Sequence, residues 1–105
     1  AASDVYKRQS MFNNQRYVTR GITNTVPLVT QIILWDCIDS MKVERKDYLQ
    51  VFKLIANGAN QQVTHSQEEP AYERTFTFPT DNPITAKIFV IDDETHSTML
   101  LAEEY

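Results

Sequence analysis

Three groups of side chains have the residue types and spacing that chemistry needs. The first is His65-Ser66-Gln67-Glu68-Glu69. An imidazole next to carboxylates is the composition of a general base oriented by an acid. On a strand, His65 and Gln67 share one face and Glu68 points to the other. No nucleophile or oxyanion donor can be assigned beside them. The plainer reading is a polar outer face of a sheet.

The second group is Asp36 and Asp39, three apart in an otherwise apolar stretch. Facing a cavity, they would be a pair of catalytic carboxylates. Asp39 falls on the same side as Leu28, Ile32 and Trp35. The plainer reading is exposure at a helix end, or a bond to a neighbouring strand. The third group is Asp92-Asp93-Glu94 with His96. Hard oxygens and an imidazole suit a divalent cation, but the stretch lacks the glycine and register of a calcium loop. Aspartates also favour ordinary turns, which is how this segment reads.

Cys37 reads as a small buried hydrophobe and Trp35 as core. With Gly21 and Gly58 the only glycines, a glycine-rich phosphate loop is excluded, and there is no CxxC or HExxH. Asp36, Asp39, His65 and Glu68 are therefore the candidate site residues. No catalytic, cofactor-binding or metal-binding role is assigned to any residue, and no cofactor is expected.

Composition narrows the function classes. Fourteen acidic residues against ten Lys and Arg give a net charge of −4. Such a surface repels phosphate backbones, so no nucleic-acid role is expected. No apolar run approaches the roughly 18 residues needed to span a bilayer, and no apolar leader marks secretion. One cysteine makes no internal disulfide, which points to a reducing, cytoplasmic setting.

Ala1 to Ser10 carries no periodicity, cap or hairpin signal. Ala1 to Gln9 resembles the in-frame translation of a common sequencing adapter, so residues 1–10 read as a non-native leader and Met11 as the natural start. Without Asp4, Lys7 and Arg8 the net charge moves from −4 to −5. Residues 11–105 fit one domain, too short for two cores.

The elements that must position the candidates follow from pattern. Gln15 to Ile22 favours a strand, with Gly21 marking a bulge or the close approach of another backbone. Pro27 to about Lys42 reads as a helix entered through Thr23-Asn24-Thr25. Its apolar residues scatter nearly all round the axis, which implies burial on most faces by a sheet curved around it. Tyr48 to Ile55 and Gln61 to Glu68 read as a hairpin turned at Asn57-Gly58. Tyr72 to Phe78 alternates as a half-buried strand. Ile88 to Ile91 reads as a strand covered on both faces. Ser97 to Glu104 is ambiguous, and a strand is favoured. The expected fold is α+β: a curved antiparallel sheet of about five strands packed around one long, largely buried helix.

Several stretches resemble a known bacterial family. They are Arg16 to Ile22, Asp47 to Phe52, His65 to Pro70, Lys87 to Asp93 and the tail Ser97 to Tyr105. Together they look like the staphylococcal family of unknown function, domain of unknown function nine-sixty, over Met11 to Tyr105. The resemblance implies a short cytosolic α+β protein with an antiparallel sheet on a helix. It implies no activity, cofactor or catalytic residue.

Two functions from different classes remain. One is a non-enzymatic module that binds a protein partner, or itself, through a sheet edge or an aromatic face with Tyr48, Tyr72, Phe76 and Phe78. The other is small-molecule binding or catalysis between helix and curved sheet. The first is preferred, because the charged groups gather at turns rather than converging.

Overall fold

Gly58 sets the turn of the longest hairpin. Its φ of +61° suits glycine, and Asn57 pairs with Asn60 across a two-residue Gly58-Ala59 loop, the arrangement of a type II′ turn. In this computed structural model, which describes residues 11–105, that hairpin joins β2 (Leu49–Asn57) to β3 (Asn60–Gln67). The leader assigned to residues 1–10 lies outside the described residues.

The other strands are β1 (Gln15–Val18), β4 (Tyr72–Pro79), β5 (Ala86–Asp92) and β6 (His96–Leu101). They form one six-stranded sheet in the order β1-β6-β5-β2-β3-β4. Every pairing is antiparallel except β1 with β6, which is parallel. The count of about five and the purely antiparallel sheet are thus corrected. The four-residue β1 lies at the far edge of the sheet, beside β6.

The strand expected over Gln15 to Ile22 stops at Val18. Thr19 then caps a short helix, α1 (Arg20–Thr25), its hydroxyl accepting from the Ile22 amide. Gly21 is explained by a side chain rather than a backbone. The Glu104 carboxylate sits where a Cβ would stand. Glu104 belongs to a 3-10 turn, Ala102–Glu104, which ends the strand expected over Ser97 to Glu104.

The main helix, α2, runs Leu28–Asp39 with Pro27 at its N-cap. Its core side buries Leu34, Cys37 and Ile38 with Ile22 and Phe12 against Phe52, Leu54, Val63, Ile88, Val90, Met99 and Leu101. Those sheet residues share one parity and therefore one face. Every sheet residue of the opposite parity is at least partly exposed.

The long, largely buried helix is therefore also corrected. Leu28, Val29 and Ile32 are 68%, 64% and 58% exposed. The sheet meets only one side of α2, and no described element covers the other. Ile33 and Trp35 mark the half-buried borders.

Candidate functional site

The one candidate on the sheet, His65, turns inward. His65 is buried on the helix-facing side of β3, at the same parity as Val63, Gln61 and Gln67. This overturns the reading of a polar outer face. Buried polar groups persist when each finds a partner, and these do. Gln67 gives its two amide protons to the Arg45 and Pro70 carbonyls, and its Oε1 accepts from the Asp47 amide. Gln50 donates to that same Oε1 and to the Asp47 carbonyl. With both Gln50 protons committed, its Oε1 is left to accept the Nε2 proton of His65 at 2.6 Å.

The chain of bonds thus fixes the His65 tautomer without any acid. Phe52 stacks on the ring at 4.3 Å between centroids, and Tyr72 meets it edge-on at 5.3 Å. Burial, with the Arg74 guanidinium adding to it, pushes the His65 pKa down to about 4. The imidazole is therefore neutral at pH 7. Glu68 is exposed in the β3–β4 turn and takes no part in this ladder.

A second inward glutamine works alone. Gln61 accepts from the Ile84 amide and donates to the carbonyls of Ile84 and Ile55, clamping the β4–β5 connection to the hairpin.

The acidic segment after β5 divides by function. Asp92 is buried. One of its oxygens accepts from the Phe12 amide at 3.2 Å, the other from the Asn14 amide group at 2.7 Å. Ser97 completes the knot by donating to the Asn14 carbonyl oxygen. Phe12 sits at φ +62°, a conformation that costs a bulky residue of order 1–3 kcal/mol. Near-complete burial of its ring and the bond from Arg16 to its carbonyl hold it there. Asp93 instead caps the turn, accepting from Thr95 and the His96 amide, which holds its carboxyl below the usual range. Glu94 is exposed. Among the described residues, no three His, Cys, Asp or Glu side chains gather as metal ligands would.

Asp36 and Asp39 share the outer face of α2, away from the core. Both Asp39 oxygens are gripped by Arg16, whose guanidinium also lies over the Trp35 ring at 4.7 Å. The four candidates therefore form no single constellation. His65 lies inside, Glu68 in a turn, and the two aspartates outside. Between α2 and the sheet, Leu34, Ile38, Phe52 and Val63 are each fully buried. A shallow, open depression of about 390 Å³ lies elsewhere, lined by Val29, Ala59, Pro79, Thr80 and Asp81.

What sequence reasoning missed was the glutamine ladder and the Asp92 knot. The signal was present as parity. Gln50 falls in step with Phe52 and Leu54, and Gln61 in step with Val63.

A surface remains that the fold does not use. At 3.6 residues per turn, Leu28, Val29, Ile32, Asp36 and Asp39 fall within an arc of about 100° on the outer side of α2. Its N-terminal half is aliphatic and its C-terminal half acidic. The model of the staphylococcal protein of unknown function family (DUF960) matches residues 15–104. The chain belongs to this family. A solved relative in fold, titled the crystal structure of the protein of unknown function from Enterococcus faecalis, superimposes with a TM-score of 0.77 at 27% identity, over 89% of this chain and 92% of that one. No curated protein matches. For this family member, among the described residues, no helix is long and apolar enough to cross a membrane.

Proposed function

We propose that this chain is a non-enzymatic, cytoplasmic protein-interaction module whose working surface is the outer face of α2. One observation carries the reading: Leu28, Val29 and Ile32, contiguous on that face, are all more than half exposed. A helix apolar nearly all round is stable in water only when both sides are covered. Its own sheet covers one side. Adjacent exposed aliphatics, unlike scattered ones, mark contact surfaces. The competing reading, a ligand held between helix and sheet, loses support because Asp36 and Asp39 lie on the outer side of α2, away from the sheet. The free edge of β4 offers a second, backbone-mediated contact through eight residues, with Phe76 and Phe78 half-buried on its core side.

The test is a photo-crosslinking amino acid placed at Val29 in the source organism, with the same group at the exposed turn residue Glu94 as control. The reading expects a discrete crosslinked species at Val29 that the control lacks. Equal background at both positions would refute it.

A further inference from the structure

The sheet has a second face that, among the described residues, no helix or strand covers, and the register arranges it in rows. Tyr17, Thr98, Ile91 and Leu49 form one row across β1, β6, β5 and β2. Leu100, Phe89 and Val51 form the next. Lys87 and Lys53 are directly paired in the row beyond. Like charges opposite each other on a sheet repel. Among the described residues, neither lysine has an acid within ion-pair distance. Lys87 rests over the Phe89 ring at 5.6 Å, and Tyr105 meets that ring edge-on. In a chain of net charge −4, the part of this face over β6, β5 and β2 is apolar with a basic margin, and Glu73 stands two strands from Val51 on β4.

The outer face of α2 is its complement. Leu28, Ile32 and Asp36 recur every four residues, about 6 Å apart along the axis. The sheet rows recur every two residues, about 7 Å apart. Both surfaces read aliphatic, aliphatic, charged, and the charges are opposite. Asp39 is already taken by Arg16, so Asp36 is the carboxylate this face has to offer.

We propose that the occupant of the outer α2 face is the open sheet face of a second copy of this chain. Leu28 lies on the Leu49/Ile91 row, Ile32 on the Val51/Phe89 row, and Asp36 lies between Lys53 and Lys87. One contact covers the helix's second side and the sheet's second face, giving the helix-sheet-helix layering that covers both faces of a sheet. This inference rests on the interaction reading above and names its partner. The two surfaces differ, so the contact is heterologous: one copy keeps its sheet face free and the other its helix face. Assembly then continues past the dimer.

The test is sedimentation velocity of the full chain across a concentration series at low and high salt. The weight-average mass should climb without a plateau at two copies, and salt should reduce it. Asp36→Lys alone, and Lys53→Asp with Lys87→Asp alone, should each weaken association by about tenfold or more. Mixing the two variants should restore it, because each then meets the opposite charge. Unchanged thermal melts would show that both variants fold. A chain that stays monomeric throughout, a mass that stops at two, or a mixture that fails to recover would each overturn the proposal. A monomer that still crosslinks to another protein at Val29 would leave the interaction reading standing and remove only the self-docking.

Discussion

His65 donates its Nε2 proton to Gln50 Oε1 across 2.6 Å, and nothing acidic touches either side chain. The folded imidazole titrates at about 4, held down by burial first and by Arg74 second. In the unfolded chain it titrates near 6.5. Between those values the unfolded chain binds a proton that the folded chain refuses. Stability from this group is therefore complete above about pH 6.5 and is lost as pH falls toward 4. The full swing is about 3 kcal/mol. Denaturant titrations from pH 4 to 7 should show it. His65→Gln, which can still donate to Gln50, should flatten the profile in that window; an unaltered slope would place the acid sensitivity elsewhere.

Thr30 is fully buried on the core side of α2, and its hydroxyl has no hydrogen-bond partner among the described residues. The nearby Val26 carbonyl already accepts from Gln31. Thr30→Val keeps the shape and removes the unsatisfied group. It should raise stability by about 1 kcal/mol, or several degrees in Tm by calorimetry. A loss of stability would mean the hydroxyl has a partner after all.

Burial pushes the Cys37 thiol up to about 11, with Arg74 opposing and Asp36 reinforcing the shift. At pH 8 its thiolate fraction is about a hundredfold below that of a free cysteine. Labelling with a chromogenic disulfide should be correspondingly slow and should accelerate in denaturant. Rapid labelling of the native chain would contradict the packing around α2.

Asp92→Ala would leave the Phe12 amide and the Asn14 side chain without acceptors. Phe12, held in a left-handed conformation, should then leave the core. The expected cost is about 2–3 kcal/mol in a urea titration. Limited proteolysis should also gain a cleavage site near Phe12. A variant as resistant as the parent would show that burial of the ring suffices.

The strands were legible because their patterns are local. Val63, His65 and Gln67 alternate with Thr64 and Ser66, and Gly58 sits at a turn that favours glycine. α1 was not legible. Its residues Ile22 and Thr23 favour strands, and the Thr19 cap became visible only once the chain was seen to turn there. The parallel partner of β1 lies some eighty residues away, beyond any local pattern. The inwardness of His65 was half legible: its parity with Val63 was on the page, but polarity outweighed it. Patterning reported that the apolar residues of α2 scatter nearly all round its axis. It could not report that the chain itself covers only one side.

The parallel pairing of Val18 with Met99 has a kinetic side. β2, β3 and β4 are linked by tight hairpins and can assemble while the rest of the chain is still emerging from a ribosome. β1 cannot, because among the described strands it pairs with β6 alone, which follows the other five in the chain. Until then the Asp92 knot is also untied, and Phe12 has no core to enter. Such long-range closures slow folding. Until β6 is made, the flank of the sheet that β1 and Phe12 complete stays open to water, which is the stage of synthesis at which apolar surface is most exposed to off-pathway contacts.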